Sequence, residues 1–162
     1  MEIYPILLVD FLEKDNLIDK KYSVFIFVLF ALILGGLASS NTSQDIWYQN
    51  LSKSYFNPPG YVFGIVWPIL YFLISLSAYR VFNSVYKLFY VQLFFNAMWS
   101  WLFFSFHLPL VALIDICLLI FLNIKLMLIF LKLDKFSFLL YLPYVLWLCF
   151  ACYLNLFIVI NN

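Results

Sequence analysis

Two stripes of side chains are the first candidates for chemistry in this sequence. Gln92, Asn96 and Ser100 recur at every fourth position with Trp99 beside them, and Pro143, Trp147, Ala151 and Asn155 form a second stripe at the same spacing. On a helix, positions four apart lie on one face. In an apolar segment such amides do one of two things: they bond neighbouring helices together, or they line a cavity that holds a ligand. Two observations favour the cavity. Both tryptophans lie well away from a helix end, so interfacial anchoring does not explain them. A mostly aromatic wall with a few placed polar groups also suits a flat apolar ligand.

The remaining reactive residue types are sparse. Asp115 is the one carboxylate inside a long apolar run, where burial costs about 2.5–3.5 kcal/mol at mid-bilayer. It is expected to cap donors on a neighbouring helix or to face a wet cavity. Cys149 and Cys152 match CxxC in letters, but with Cys117 they read as inert packing thiols. His107 is the only histidine and builds no metal site alone. There is no glycine-rich phosphate loop and no Ser/His/Asp set within one layer. Hydrolysis, phosphoryl transfer and metal catalysis therefore lack their parts, and no obligatory cofactor or metal is expected.

What must position these stripes follows from composition. Of the 162 residues, 67% are apolar or aromatic and 10% are charged, where an ordinary soluble domain carries roughly 25% charge. A domain this small cannot hide so much apolar surface from water, so lipid is its solvent. Eight of the 17 charged residues lie in positions 1–21, and charge-free stretches follow at 22–44, 54–79, 88–114 and 136–162. His107-Leu108-Pro109 splits the third of these, because proline stops a helix. The spacing predicts an all-α integral membrane protein, a bundle of five transmembrane helices over about 22–39, 60–81, 88–106, 110–131 and 138–160. Residues 1–21 read as a polar N-terminal arm.

Lys14, Lys20, Lys21, Arg80, Lys87, Lys132 and Lys135 fall on the N-terminal side of such a bundle, and only Lys53 falls in a loop on the other. That bias predicts a cytoplasmic N-terminus. No basic stripe exists, so nucleic acid is not an expected partner. The longest connection, residues 40–59, carries the aromatic pairs Trp47-Tyr48 and Tyr55-Phe56; it reads either as a lid over a cavity or as an interfacial anchor. Gly60 and Gly64 form a GxxxG pair, and Ala31, Gly35 and Ser39 a small-residue stripe. Both read as helix packing, as do Asn155 and Asp115.

The assembled motifs resemble the TspO/MBR family of tryptophan-rich sensory and translocator proteins. The likeness runs from about residue 34 to the C-terminus. Its motifs are Trp47-Tyr48-x-x-Leu51, Asn57-Pro58-Pro59-Gly60-Tyr61-Val62-Phe63-Gly64-x-x-Trp67-x-x-Leu70-Tyr71, Gln92-Leu93-x-x-Asn96-x-x-Trp99, Ala112-Leu113-x-Asp115 and Pro143-Tyr144-x-x-Trp147-x-x-Phe150-Ala151-x-x-Leu154-Asn155. The resemblance implies a five-helix bundle over residues 22–162, commonly a homodimer, with a pocket beneath the first loop. Implied ligands are porphyrins such as protoporphyrin IX and other tetrapyrroles, with a role as sensor, regulator or transporter. The implied pocket positions are Trp67, Asn96, Trp99, Trp147 and Ala151, with Trp47 and Tyr48 in the lid. Light-dependent porphyrin breakdown through Trp67 and Trp147 is the implied enzymatic alternative; a purely structural, partner-binding role is the other. The implied location is an inner membrane in a bacterium or the outer mitochondrial membrane in a eukaryote. The chain departs from the family where Phe56, Tyr61 and Ala97 replace common tryptophans. Ile160 stands where the animal sterol motif has arginine, so cholesterol recognition by the C-terminal segment is not expected.

Overall fold

With no water in the bilayer core, backbone groups must pair within their own segment, and helices are what long apolar runs can form. The computed structural model describes residues 4–162, with side chains described from Lys20 onward. Its helices are α1 (Tyr4–Ser39), α2 (Ile46–Asn50), α3 (Gly60–Arg80), α4 (Phe82–Ser100), α5 (Pro109–Leu133) and α6 (Lys135–Asn161). A π-helical turn, Trp101–Ser105, continues α4. Five segments are long and apolar enough to cross a membrane: Lys20–Ser39, Gly60–Arg80, Phe82–Ser105, Pro109–Leu133 and Lys135–Asn161. The five expected spans are therefore present, with shifted boundaries.

The largest shift is in the third span, which begins at Phe82 rather than 88, because Lys87 lies within α4 with an exposed side chain. A charge near a helix end can reach the interface and does not end the helix. The expected polar arm lies outside the described side chains through residue 19. Its backbone from Tyr4 is helical and continuous with the first span.

On α1, Val24, Val28 and Ala31 are buried while Ile26, Phe30 and Ile33 are more than half exposed. One face thus meets the bundle and the other is left for lipid, as expected where solvent and core are equally apolar. α1 packs on α3 and α4, α6 on α3 and α5, and α4 on α5. The spans close a ring in the order α1, α3, α6, α5, α4. α3 and α4 meet at Val81 and diverge towards the opposite end.

Buried polar groups run through this ring as one connected chain. Tyr71 donates to Asn96 Oδ1, Asn96 Nδ2 donates to the Tyr144 hydroxyl at 2.7 Å, and Tyr144 donates to Gln92 Oε1 at 2.9 Å. Asn123 donates to the same Gln92 oxygen at 3.4 Å and accepts from Tyr141. α3, α4, α5 and α6 are joined through side chains that lipid cannot solvate. At the Val81 end, Arg80 Nε meets Asp134 Oδ2 at 2.6 Å. That guanidinium, with the Ser137 hydroxyl, holds the Asp134 carboxyl down to about 2.

Candidate functional site

At the end of the bundle away from Val81, a cavity of about 930 Å³ opens between α1, α3 and α4. Its floor and walls are aromatic: Phe63, Trp67 and Tyr71 from α3, Trp99 from α4 and Phe104 from the π-helical turn. Phe63, Trp67 and Tyr71 lie four residues apart in the sequence and so share one face of α3. Pro68 lies on the same wall and, having no N–H, leaves the Gly64 carbonyl without its helical donor. The rim is polar, with Ser39, Thr42, Ser43, Gln49 and Asn57 around it.

Glycines make the space. Nothing lies within 4 Å of a side-chain carbon built on Gly36, Gly60 or Gly64, and all three line the cavity. Gly60 and Gly64, expected to serve helix packing, meet no neighbour within 4 Å of such a carbon in this protomer, and the missing side chains leave room at the cavity. Gly35 does face a neighbour, since a side-chain carbon there would meet Ser100 Oγ at 3.3 Å.

Residues 40–59 fold over the mouth. Asp45 caps α2, its Oδ1 accepting from the Trp47 N–H at 2.9 Å and the Tyr48 N–H at 3.4 Å. Its other oxygen meets His107 Nε2 at 2.8 Å. Trp47 stacks on the His107 ring, with centroids 4.2 Å apart and planes 16° from parallel. His107 holds a positive φ of 54°, two residues after the end of the π-helical turn and two before the start of α5. Two further ties secure the loop: Ser54 bonds Tyr153 at 2.8 Å, and the Ser52 N–H donates to Asn162 at 2.9 Å. Of the two expected roles for this segment, the geometry is that of a lid.

The lid's titrating groups respond to this packing. Desolvation pushes the Asp45 carboxyl up, but the His107 hydrogen bond and the Tyr48 and Trp47 N–H groups outweigh it and hold the carboxyl below its ordinary value. Burial pushes the Tyr48 phenol up. Replacing His107 with alanine removes both the hydrogen bond to Asp45 and the stack. Hydrogen exchange at the amides of Trp47 and Tyr48 is expected to rise several-fold; Asp45→Asn should raise it as well, because it keeps a cap but loses the charge. Unchanged exchange in His107→Ala would show that the other ties hold the lid alone.

Four of the seven expected pocket residues, Tyr48, Trp67, Asn96 and Trp99, line the cavity. The other three do not. Trp47 lies above it on His107. Trp147 sits behind Phe63, with ring centroids 5.8 Å apart, and its Nε1 is buried without a partner. Ala151 is buried in a second apolar cluster that also holds Phe103 and Ile116. Asn96, expected to face ligand, spends both polar atoms on Tyr71 and Tyr144.

Asn155 accepts from Trp99 Nε1 at 3.2 Å and donates to the Pro109 carbonyl at 2.8 Å, tying α6 to α4 and α5. Asp115 is buried with its Oδ2 unpartnered, so no donor is capped at that oxygen. The three cysteines are free, and Cys152 has its Sγ 4.0 Å from Cys117 on α5.

Some contributors were missed in the sequence. Lys53 and the α1 face around Leu32 and Gly36 line the cavity, and Asp45 anchors the lid. The signals that pointed to them were slight: an aspartate two residues before Trp47, and one lysine as the only other charge in the stretch 40–59.

Comparison with known proteins matches the whole bundle. The sequence profile of the TspO/MBR family matches residues 23–160. "Tryptophan-rich protein TspO" of Archaeoglobus fulgidus is 35% identical over 144 residues, covering 83% of this chain and 94% of that protein. "Tryptophan-rich sensory protein" of Cereibacter sphaeroides is 33% identical over 137 residues, covering 80% and 87%. "Protein CrtK" of Rhodobacter capsulatus is 28% identical over 142 residues, covering 82% and 89%. Five spans, an aromatic cavity under the first loop and these relatives agree, and the chain belongs to the TspO/MBR family.

Proposed function

We propose that this integral, multi-pass membrane protein binds a tetrapyrrole such as protoporphyrin IX under the lid and acts on it as a sensor, regulator or carrier. The observation that carries the reading is the cavity itself. About 930 Å³ walled by Trp67, Trp99, Tyr71 and Phe63 lies near the upper end of ligand-pocket sizes, and its wall suits a large flat apolar body. A relative named as a sensory protein supports a sensing role. The basic residues Arg80, Lys87, Lys132 and Lys135 cluster at the end opposite the lid, which supports a lid on the non-cytoplasmic side.

Titrating the purified protein with protoporphyrin IX tests this by tryptophan quenching. Saturable binding is expected, and Trp67→Phe should weaken it by about five- to tenfold through loss of stacked area. Trp147→Phe should weaken it less, because Phe63 stands between that indole and the cavity. Affinity untouched by Trp67→Phe would remove the cavity as the binding site. The photochemical alternative keeps Trp67 at the ligand and leaves Trp147 one ring behind. It predicts that light bleaches bound porphyrin to a new product only while Trp67 is present.

A further inference from the structure

Among the described residues, Lys53 is the only charged one lining the cavity, and no carboxylate lines it. The described close contacts between acidic and basic side chains are Arg80 with Asp134 and His107 with Asp45, and Lys53 belongs to neither. Its ammonium donates to the Gln49 carbonyl at 3.3 Å and lies 4.5 Å from the centre of the Tyr48 ring. A lysine ammonium has three donors, so this leaves hydrogen-bonding capacity unused at the mouth of an apolar chamber. The cavity is thus amphipathic: aromatic below, polar at the rim, with the Lys53 charge beside Gln49.

We infer that Lys53 receives a carboxylate at the edge of the bound molecule, so the site selects flat apolar ligands that carry peripheral acid groups. This deepens the tetrapyrrole reading and rests on it. The ring system sits against Trp67 and Trp99, and the acid groups point up to the rim, where Lys53 gains the charge-assisted partner it lacks. Desolvation pushes the Lys53 ammonium below its ordinary value, the behaviour of a cation whose surroundings supply no counter-charge. A cationic ligand finds no opposing charge in the lining and is disfavoured by the same lysine.

The test compares protoporphyrin IX with its dimethyl ester in nanodiscs of phosphatidylcholine, a zwitterionic lipid that adds no anionic headgroup. Wild-type protein is expected to favour the diacid by about tenfold, one charge-assisted contact discounted for partial exposure. Lys53→Met should abolish that preference by lowering diacid affinity towards that of the ester, while Lys53→Arg retains it. Comparing diacid-to-ester ratios between variants in the same discs cancels partitioning into lipid. A preference that persists in Lys53→Met, or diacid and ester affinities that fall together, overturns the assignment and gives Lys53 only a lid-packing role. Equal affinities for the wild type overturn it while leaving the tetrapyrrole reading standing. If neither compound binds the wild type, that reading fails and the role of Lys53 fails with it.

Discussion

Phenylalanine at position 64 is expected to lower protoporphyrin affinity at least tenfold while leaving the bundle folded. Gly64 has open space where its side chain would start, and it lines the cavity one turn from Trp67. A benzyl group there starts from open space in the cavity lining and takes up volume the ligand needs. Gly64→Ala is the control. Its methyl group meets nothing within 4 Å, so affinity should change by less than about twofold. The helix should gain roughly 0.5–1 kcal/mol from replacing a mid-helix glycine. Titration and thermal melting in the same detergent read both effects. Wild-type affinity in Gly64→Phe would mean that the ligand binds elsewhere. Loss of folding in Gly64→Phe with a normal Gly64→Ala would mean that the cavity closes on a neighbour.

The second large effect is on stability. Asn96→Leu keeps approximate size and removes both polar atoms at the centre of the buried chain. Tyr71 then loses the acceptor it donates to, and Tyr144 loses the Asn96 donor while keeping Gln92. An unsatisfied buried hydroxyl costs about 1–3 kcal/mol, although single polar pairs measured in a bilayer average only about 0.6 and reach about 1.7. We therefore expect a loss of about 2 kcal/mol, seen as a drop of several degrees in melting temperature. Tyr71→Phe should cost less alone. Combined with Asn96→Leu it should add little, since the shared bond is already gone. Fully additive losses would show that the two side chains act independently. Porphyrin affinity should fall moderately in Asn96→Leu, through the displaced Tyr71 wall and not through a lost contact to ligand.

These expectations depend on placements that were unevenly legible in the sequence. The amide stripe of α4 and the aromatic stripe of α3 were readable because helical periodicity states which side chains share a face. The lid was recognisable as a long aromatic connection. Its fastening was not, because Asp45 and His107 are 62 residues apart and no local pattern pairs them. Gly60 and Gly64 have the letters of a packing motif, yet in this protomer their missing side chains leave open space at the cavity, which no spacing in the sequence reveals. The stripe of α6 was the instructive misplacement. Trp147 and Ala151 do face the interior, but towards Phe63 and the Phe103 cluster rather than into the cavity.

By itself the sequence determined the solvent, the number of spans and the family. Each depends on composition, on local periodicity or on motifs at fixed spacing, and none needs a distant contact. Only the tertiary structure decided which stripes meet around the site. The ring order places α1, α3 and α4 around the cavity and α5 and α6 outside it. A helix's period shows which residues point inward together, but the neighbour they meet is set by packing among five similar apolar cylinders. Hydrophobicity does not distinguish those cylinders in lipid. The polar chain from Tyr71 to Tyr141 and the ties on the lid supply what distinguishes them.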